Sequence, residues 1–364
     1  MYTQNDLDEA VAAGAITPES ATALRAFVDH QRNTPAVDEE HFRLITGFND
    51  IFVSIAAAIL LFAMGWIGQS IGQNLGLVIE SEGPSPLAPA LVAGTAWGLA
   101  LFFTARRRMA LPSILLLLAF VGGTVATVGF ALIFGIGQTR FEGEGSEWLA
   151  GLVGATAASA GAIAAFLHWK RFRVPITVAA GAASVAGIVV ALIAAAIGDI
   201  PALETIILST VLLLGVGVFL YAMRWDSSDR ARITRRSDVA FWLHLLAAPM
   251  IVHPIFTLLG LNDGDATIGE GLAVVAIYVA LGLAALAIDR RALLVSALAY
   301  VLYALNELFE QFGAVSLNIA LTALVIGSAL LLLSAFWHQA RSAIVTKLPL
   351  ALRGYLPQLS PTPA

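Results

Sequence analysis

Few residues in this chain have a type and spacing that could do chemistry. Ser296, Tyr300, Tyr303, Glu307 and Glu310 all lie in one late run, SALAYVLYALNELFEQ. At about 100° per residue they fall within roughly 40° of one line along a helix, and Asn306 adjoins them. Two carboxylates facing the centre of a bilayer would cost about 2.5–3.5 kcal/mol each. The polar seam is therefore expected to meet other protein or a wet cavity.

A second run, VAFWLHLLAAPMIVHPIFTLLG, carries His244, His253, Pro249 and Pro254. Nine residues turn a straight helix by about 180°, so the two histidines should not chelate one metal unless the prolines unwind the helix. Each proline frees a carbonyl, which gives either a simple kink or a broken, transporter-like helix. His253 lies about fourteen residues into its apolar segment and Glu307 about fifteen into its own, which puts them at similar depth. The expected site is a pocket in the outer half of the membrane, formed by Tyr303, Asn306, Glu307, Glu310 and His253, that binds a proton or a cation. In the competing reading Glu307 and Glu310 reach the outer headgroups and His253 bonds a backbone carbonyl. No phosphate loop, HExxH zinc helix or GxSxG elbow is present. The chain has no cysteine, which excludes disulfides and thiolate sites. No metal or cofactor is expected.

The elements that must position these residues are apolar throughout. The chain of 364 residues is 59% hydrophobic and 12% charged, with a mean hydropathy of +0.84. Soluble domains carry about twice that share of charge, so the solvent implied is a lipid bilayer. The net charge of −5 gives no sign of a nucleic-acid partner. The fold class expected is an all-α polytopic bundle of about ten transmembrane helices. They are placed near 50–72, 86–105, 110–137, 148–168, 174–197, 203–223, 239–260, 269–288, 292–312 and 314–337. In the third, Gly122-Gly123 is expected to tilt or break the helix.

Charge alternates along the connections. Arginine and lysine gather at Arg106–Arg108, Lys170–Arg173, Arg224–Arg236, Arg290-Arg291 and in the tail, while the intervening loops hold acids such as Glu80, Glu142, Asp199 and Asp263. Arg140 is the exception. The positive-inside rule then puts both termini in the cytoplasm. A basic loop followed by an outward-running span recurs every 55–65 residues or so, and Leu111-Pro112 echoes Val174-Pro175, the pattern that repeated helical hairpins would leave. Gly151, Gly154, Ala158 and Ala162 form a ladder of small residues, and Gly181, Ser184 and Gly187 another, suited to close helix contact.

Three regions are expected: a cytosolic helical head over 1–49, the transmembrane bundle over 50–337, and a cytosolic amphipathic and disordered tail over 338–364. In the head, Gly14 suits a left-handed helix end, and Thr17-Pro18 reads as an N-cap with proline in the first turn. The polar opening leaves no secretory leader expected.

The head (AVAAGAITPESATAL) and the acidic lead-in (DEEHFRLITGFNDIFVSIA) resemble a family of uncharacterised bacterial multi-pass membrane proteins, grouped as a domain of unknown function with a short cytosolic helical head. The resemblance implies a bacterial cytoplasmic membrane and no defined activity. The residues themselves point to a small-solute permease, with proton coupling one form of it. The alternative is a non-transporting scaffold or sensor whose head, residues 1–49, binds a protein partner. A membrane enzyme is disfavoured, because the basic loops lie on the opposite side from the expected pocket. Oligomeric state is not encoded in any pattern found.

Overall fold

A computed structural model describes residues 10–24, 48–80, 83–143, 145–230, 232, 234–260, 268–291, 294, 298, 301–302, 318–357 and 359. The chain divides into two compact units, one of Met1–Arg43 with Pro361–Ala364 and one of Leu44–Ser360. In the first, Gly14 takes a φ of +69°, and residues 18–24 are helical. The Thr17 hydroxyl accepts from the Ser20 amide at 3.1 Å, which is the capping expected of a Thr-Pro helix start.

The second unit is helical, with no strand among its described residues. Its helices are α1 (Phe48–Asn74), α2 (Leu87–Phe103), α3 (Ala110–Ile136), α4 (Glu147–Phe172), α5 (Ile176–Ile197), α6 (Leu203–Ser227), α7 (Arg235–Leu258) and α8 (Ile268–Ile288). After the seam region come α9 (Asn318–Ala335), α10 (Trp337–Val345) and α11 (Leu350–Arg353). Six of these, α1 and α3 to α7, are long and apolar enough to cross a membrane. Helices α9 and α10 together would make a seventh span, bent by 73°. Helix α2, at 17 residues, and the 272–288 part of α8 are apolar but shorter.

What the helices expose says which solvent they meet. Phe52, Phe62, Trp66, Leu213 and Leu331 are all at least 65% exposed, and alanine is the commonest buried residue, packed among leucine and valine. A surface with so many large apolar side chains is stable against hydrocarbon and not against water.

Successive helices fold back on one another, and small residues set the contacts. A methyl group added at Gly68 would lie 2.6 Å from the Leu87 carbonyl oxygen, and one at Gly123 2.9 Å from that of Pro89. Between α4 and α5, one added at Gly151 would lie 2.5 Å from Ala195 Cβ and 2.7 Å from the Ala191 oxygen. Gly161 similarly faces Ser184, and Gly187 faces Ala158. Residue numbers rise on one helix as they fall on the other, so the pair is antiparallel and its two ladders form one interface. Of the tilt or break expected at Gly122-Gly123, the break does not occur. Helix α3 runs unbroken through it, and Gly123 serves instead to let α2 approach.

This zigzag gathers the basic turns at one end of the bundle. Those turns share a device: Arg108, Arg173, Arg232 and Asp289 all adopt left-handed φ, between 52° and 58°. Each of the first three is flanked by buried polar residues, Thr104 and Ser113, then His168 and Thr177, then Asp226 and Ser237. The recurrence supports the repeated-hairpin pattern read from the loops.

Glycine at 151 is thus required by backbone proximity, whereas Gly98 has open space around it. Gly151→Ala should lower the melting temperature of the detergent-solubilised protein, by an overpacking cost of about 1–3 kcal/mol. Gly98→Ala should leave it equal or slightly higher. Equal melting of both variants and the parent would contradict the packing described.

Candidate functional site

The only ionisable groups sequestered together among the described residues lie at the basic end, where α6, α7 and the turn after α8 converge. Asp226 occupies the last turn of α6. A carboxylate there opposes the helix dipole, so it must find compensation elsewhere. Arg290 supplies it. Its Nε reaches Asp226 Oδ2 at 3.2 Å and its Nη2 reaches Oδ1 at 2.5 Å, the two-point geometry of a guanidinium on a carboxylate. His244 Nε2, from α7, stands 3.0 Å from the same Oδ2. Arg290 Nη2 also donates to the Ser237 carbonyl at 3.2 Å. Asp226, His244 and Arg290 are each at most 2% exposed. Phe219 closes on the imidazole edge-on at 5.2 Å, and Phe241 lies beneath the guanidinium at 5.9 Å.

A second layer holds Arg290 in place. The preceding residue, Asp289, sits in the left-handed position that ends α8, where glycine is usual. Its side chain explains the substitution. Oδ2 accepts from Arg232 Nη1 at 2.9 Å, and Oδ1 accepts from the Trp337 indole at 2.7 Å. Arg232 Nη2 further caps the Ile288 and Asp289 carbonyls at 3.0 and 3.1 Å. Arg341 Nε lies 3.7 Å from Asp289 Oδ1.

The tail joins this layer. Arg341 Nη2 donates to the Pro357 carbonyl at 2.8 Å, and Arg230 Nε and Nη2 donate to the carbonyls of Leu356 and Arg353. Trp337, Val345 and Leu356 are buried with Leu286, Ile288 and Leu294. Within the α6–α7 turn, Asp229 Oδ2 accepts from both the amide and the hydroxyl of Thr234. Thr234 in turn caps α7.

Of the residues singled out from the sequence, His253 lies on the exposed face of α7, and its carbonyl accepts from the Thr257 hydroxyl at 3.0 Å. His244, nine positions earlier, faces the core. The half-turn between them holds because α7 remains helical through both prolines. Tyr303, Asn306, Glu307 and Glu310 lie outside the described residues. Among the described residues no three His, Asp or Glu side chains converge as a metal site.

Sequence reading passed over Asp226 and Asp289 because they sit inside stretches counted for their arginines. The signal was there: MRWDSSDRARITRRSD and AIDRR place aspartates within basic loops that charge alternation alone does not require. The other buried histidine, His168, is enclosed by Trp97, Phe120 and Phe172 with its Nδ1 3.2 Å from Thr177 Oγ1. It meets no charge there and packs as part of the core.

Comparison with family models, with curated proteins and with solved structures returned no match.

A buried ion pair costs most when half of it is removed. Arg290→Met should destabilise the protein by roughly 3–5 kcal/mol through the uncompensated Asp226 carboxylate. The double variant Asp226→Leu/Arg290→Met should recover most of that loss. Thermal melts of the parent, both single variants and the double variant form the cycle. Additive losses would show that the two side chains are not coupled.

Proposed function

We propose that this chain is a small-solute permease of a bacterial cytoplasmic membrane, with ten spans and both termini on the cytoplasmic side. Six helices are long and apolar enough to span, and the proposal adds α2, α8, α9 and the span expected from the sequence over 292–312. The 17 residues of α2 would extend about 26 Å at 1.5 Å each, close to the hydrocarbon thickness. The basic turns at one end support the orientation.

The observation that carries the reading is the Asp226–His244–Arg290 centre. Ionisable side chains shut away in a membrane bundle are functional-site candidates by default. This centre ties three separate helical segments at one end of the bundle, where an inner gate would have to sit. With the ion pair formed, the cytoplasmic end is closed, and solute enters from the acidic side towards Glu307. Loss of the Asp226–Arg290 pairing would let the α8 turn part from α6 and α7.

The absence of cysteine makes the test direct. Ala248 is buried one turn deeper than His244. A cysteine placed there (Ala248→Cys) should resist a membrane-impermeant maleimide applied from the basic side. Adding Asp226→Asn should raise its labelling rate about tenfold or more, the factor expected for about 1.4 kcal/mol off the closed state. In proteoliposomes, Glu307→Gln and Asp226→Asn should each abolish pH-driven solute uptake. Unchanged labelling would sink the gate, and the absence of any pH-driven flux with the parent protein would sink the permease reading.

One observation favours the scaffold reading as a second. Residues Met1–Arg43 form a compact unit of their own with Pro361–Ala364, and their helix over 18–24 carries its own cap. Full-length protein should then retain a cytosolic partner that a chain lacking residues 1–43 loses, and equal recovery from both would dismiss it.

A further inference from the structure

Six cations stand exposed at the basic end of the α2–α5 region with no acid nearby in the chain. Arg106, Arg107 and Arg108 lie in the turn between α2 and α3, and Lys170, Arg171 and Arg173 close α4. Residues 104–113 and 168–177 contain no aspartate or glutamate. The two turns are neighbours, because Phe103 and Phe172 pack on one cluster that includes Ala57, Ala96 and Leu116. Phe172 also meets the Trp97 ring at 5.1 Å. We infer that the two turns form one docking face for the headgroups of anionic phospholipids in the leaflet that borders them. The inference requires only that the bundle lies in a bilayer, and it stands apart from the transport reading.

Three observations converge. The first is that these charges are unspent inside the protein. None of the six side chains makes a hydrogen bond or an ion pair among the described residues. Around α6 to α8 the arrangement is the opposite, since Arg230, Arg232 and Arg290 bond to backbone carbonyls, to Asp289 and to Asp226. Six like charges gathered in two adjoining turns repel one another until an anion joins them.

The second is the depth at which the charges are held. The Arg107 guanidinium lies over the Phe102 ring at 5.5 Å, Lys170 Nζ over Phe166 at 5.5 Å, and the Arg173 guanidinium over Trp169 at 5.3 Å. Phe102 and Phe166 are 42% and 59% exposed and belong to the apolar surface. The cations are thus drawn onto the rim of the apolar belt, the level at which headgroups lie. Basic residues beside spans are where anionic headgroups gather. A soluble acidic partner would need the charges turned towards water, so the geometry favours lipid.

The third is a backbone cost with no internal return. Arg108 and Arg173 both take left-handed φ, 52° and 57°, a conformation that glycine adopts more cheaply. Arg232 and Asp289 share that conformation and offset its cost through bonds within the protein. Arg108 has no such bond among the described residues, and Arg173 has only its contact with Trp169. A long charged side chain kept at such a position without an internal partner points to one outside.

The experiment uses the full-length protein, delipidated in a mild non-ionic detergent. Dioleoyl phosphatidylglycerol, the matching phosphatidylcholine, or inorganic tripolyphosphate is titrated in, and bound molecules are counted by native mass spectrometry. Phosphatidylglycerol should bind about tenfold more tightly than phosphatidylcholine. Raising salt from about 0.1 M to about 0.5 M should weaken it severalfold. The variant Arg106→Gln/Arg107→Gln/Lys170→Gln/Arg171→Gln should lose about tenfold in phosphatidylglycerol affinity and keep its phosphatidylcholine affinity. The control Arg235→Gln/Arg236→Gln removes exposed cations from a region that also carries Asp226, Asp229 and Asp238. It should change phosphatidylglycerol binding by less than about twofold.

A variant that fails to fold does not block the test. A phosphatidylglycerol with a photoreactive headgroup, incubated with the unmodified protein, should crosslink to residues 102–109 and 166–174. Crosslinks confined to other turns, equal affinity for the two lipids, or an equal loss from the control pair would each overturn the proposal. So would tripolyphosphate binding more tightly than phosphatidylglycerol, since the face would then serve a soluble polyanion.

Discussion

A carboxylate cut off from water at the wrong end of a helix dominates the energetics of this molecule. Asp226 lies at the C-terminus of α6, where the peptide dipoles already present negative charge. It can stay ionised there only if donors reach it from other elements. Arg290 and His244 do so, and their positions depend on how α8 ends and on how α7 begins. Asp289 makes the α8 turn and passes the constraint on to Arg232, Trp337 and Arg341. The tail, through Pro357 and Leu356, is the last link. Four helical segments and the C-terminal strap are thus organised around one negative charge.

The rest of the bundle solves a different problem. Hydrocarbon gives apolar helices no reason to prefer one another over lipid. Close backbone approach has to supply the attraction through dispersion, and only small residues allow it. Gly68, Gly123, Gly151, Gly161 and Gly215 each stand where a methyl group would strike a neighbouring helix, in several cases its backbone. Many large side chains are left on the outside. The hairpins of α1 to α5 pack this way almost without charge, whereas the α6–α8 region adds a buried ionic network.

Legibility from sequence followed the range of the interaction. The Thr17 cap, the Gly14 turn and the small-residue ladders of α4 and α5 were readable because each involves neighbours or a strict helical period. So was the opposition of His244 and His253, a matter of nine residues at 100° each. The break allowed for at Gly122-Gly123 is absent for a physical reason: a glycine pair weakens a helix taken alone, but here α2 packs against Gly123. The ionic centre was not legible. Aspartates within arginine-rich loops look like solvated surface until their partners are placed beside them.

The amino-acid order by itself determined that this chain belongs in lipid, that it is helical, and that its basic turns recur on one side, because hydropathy, period and loop charge are local sums that need no partner. Only the tertiary structure decided which polar groups are shut away from solvent and with what. Asp226 meets Arg290 across 64 positions and Arg230 meets Leu356 across 126. Contacts of that span depend on the packing of whole helices, and no local pattern contains it.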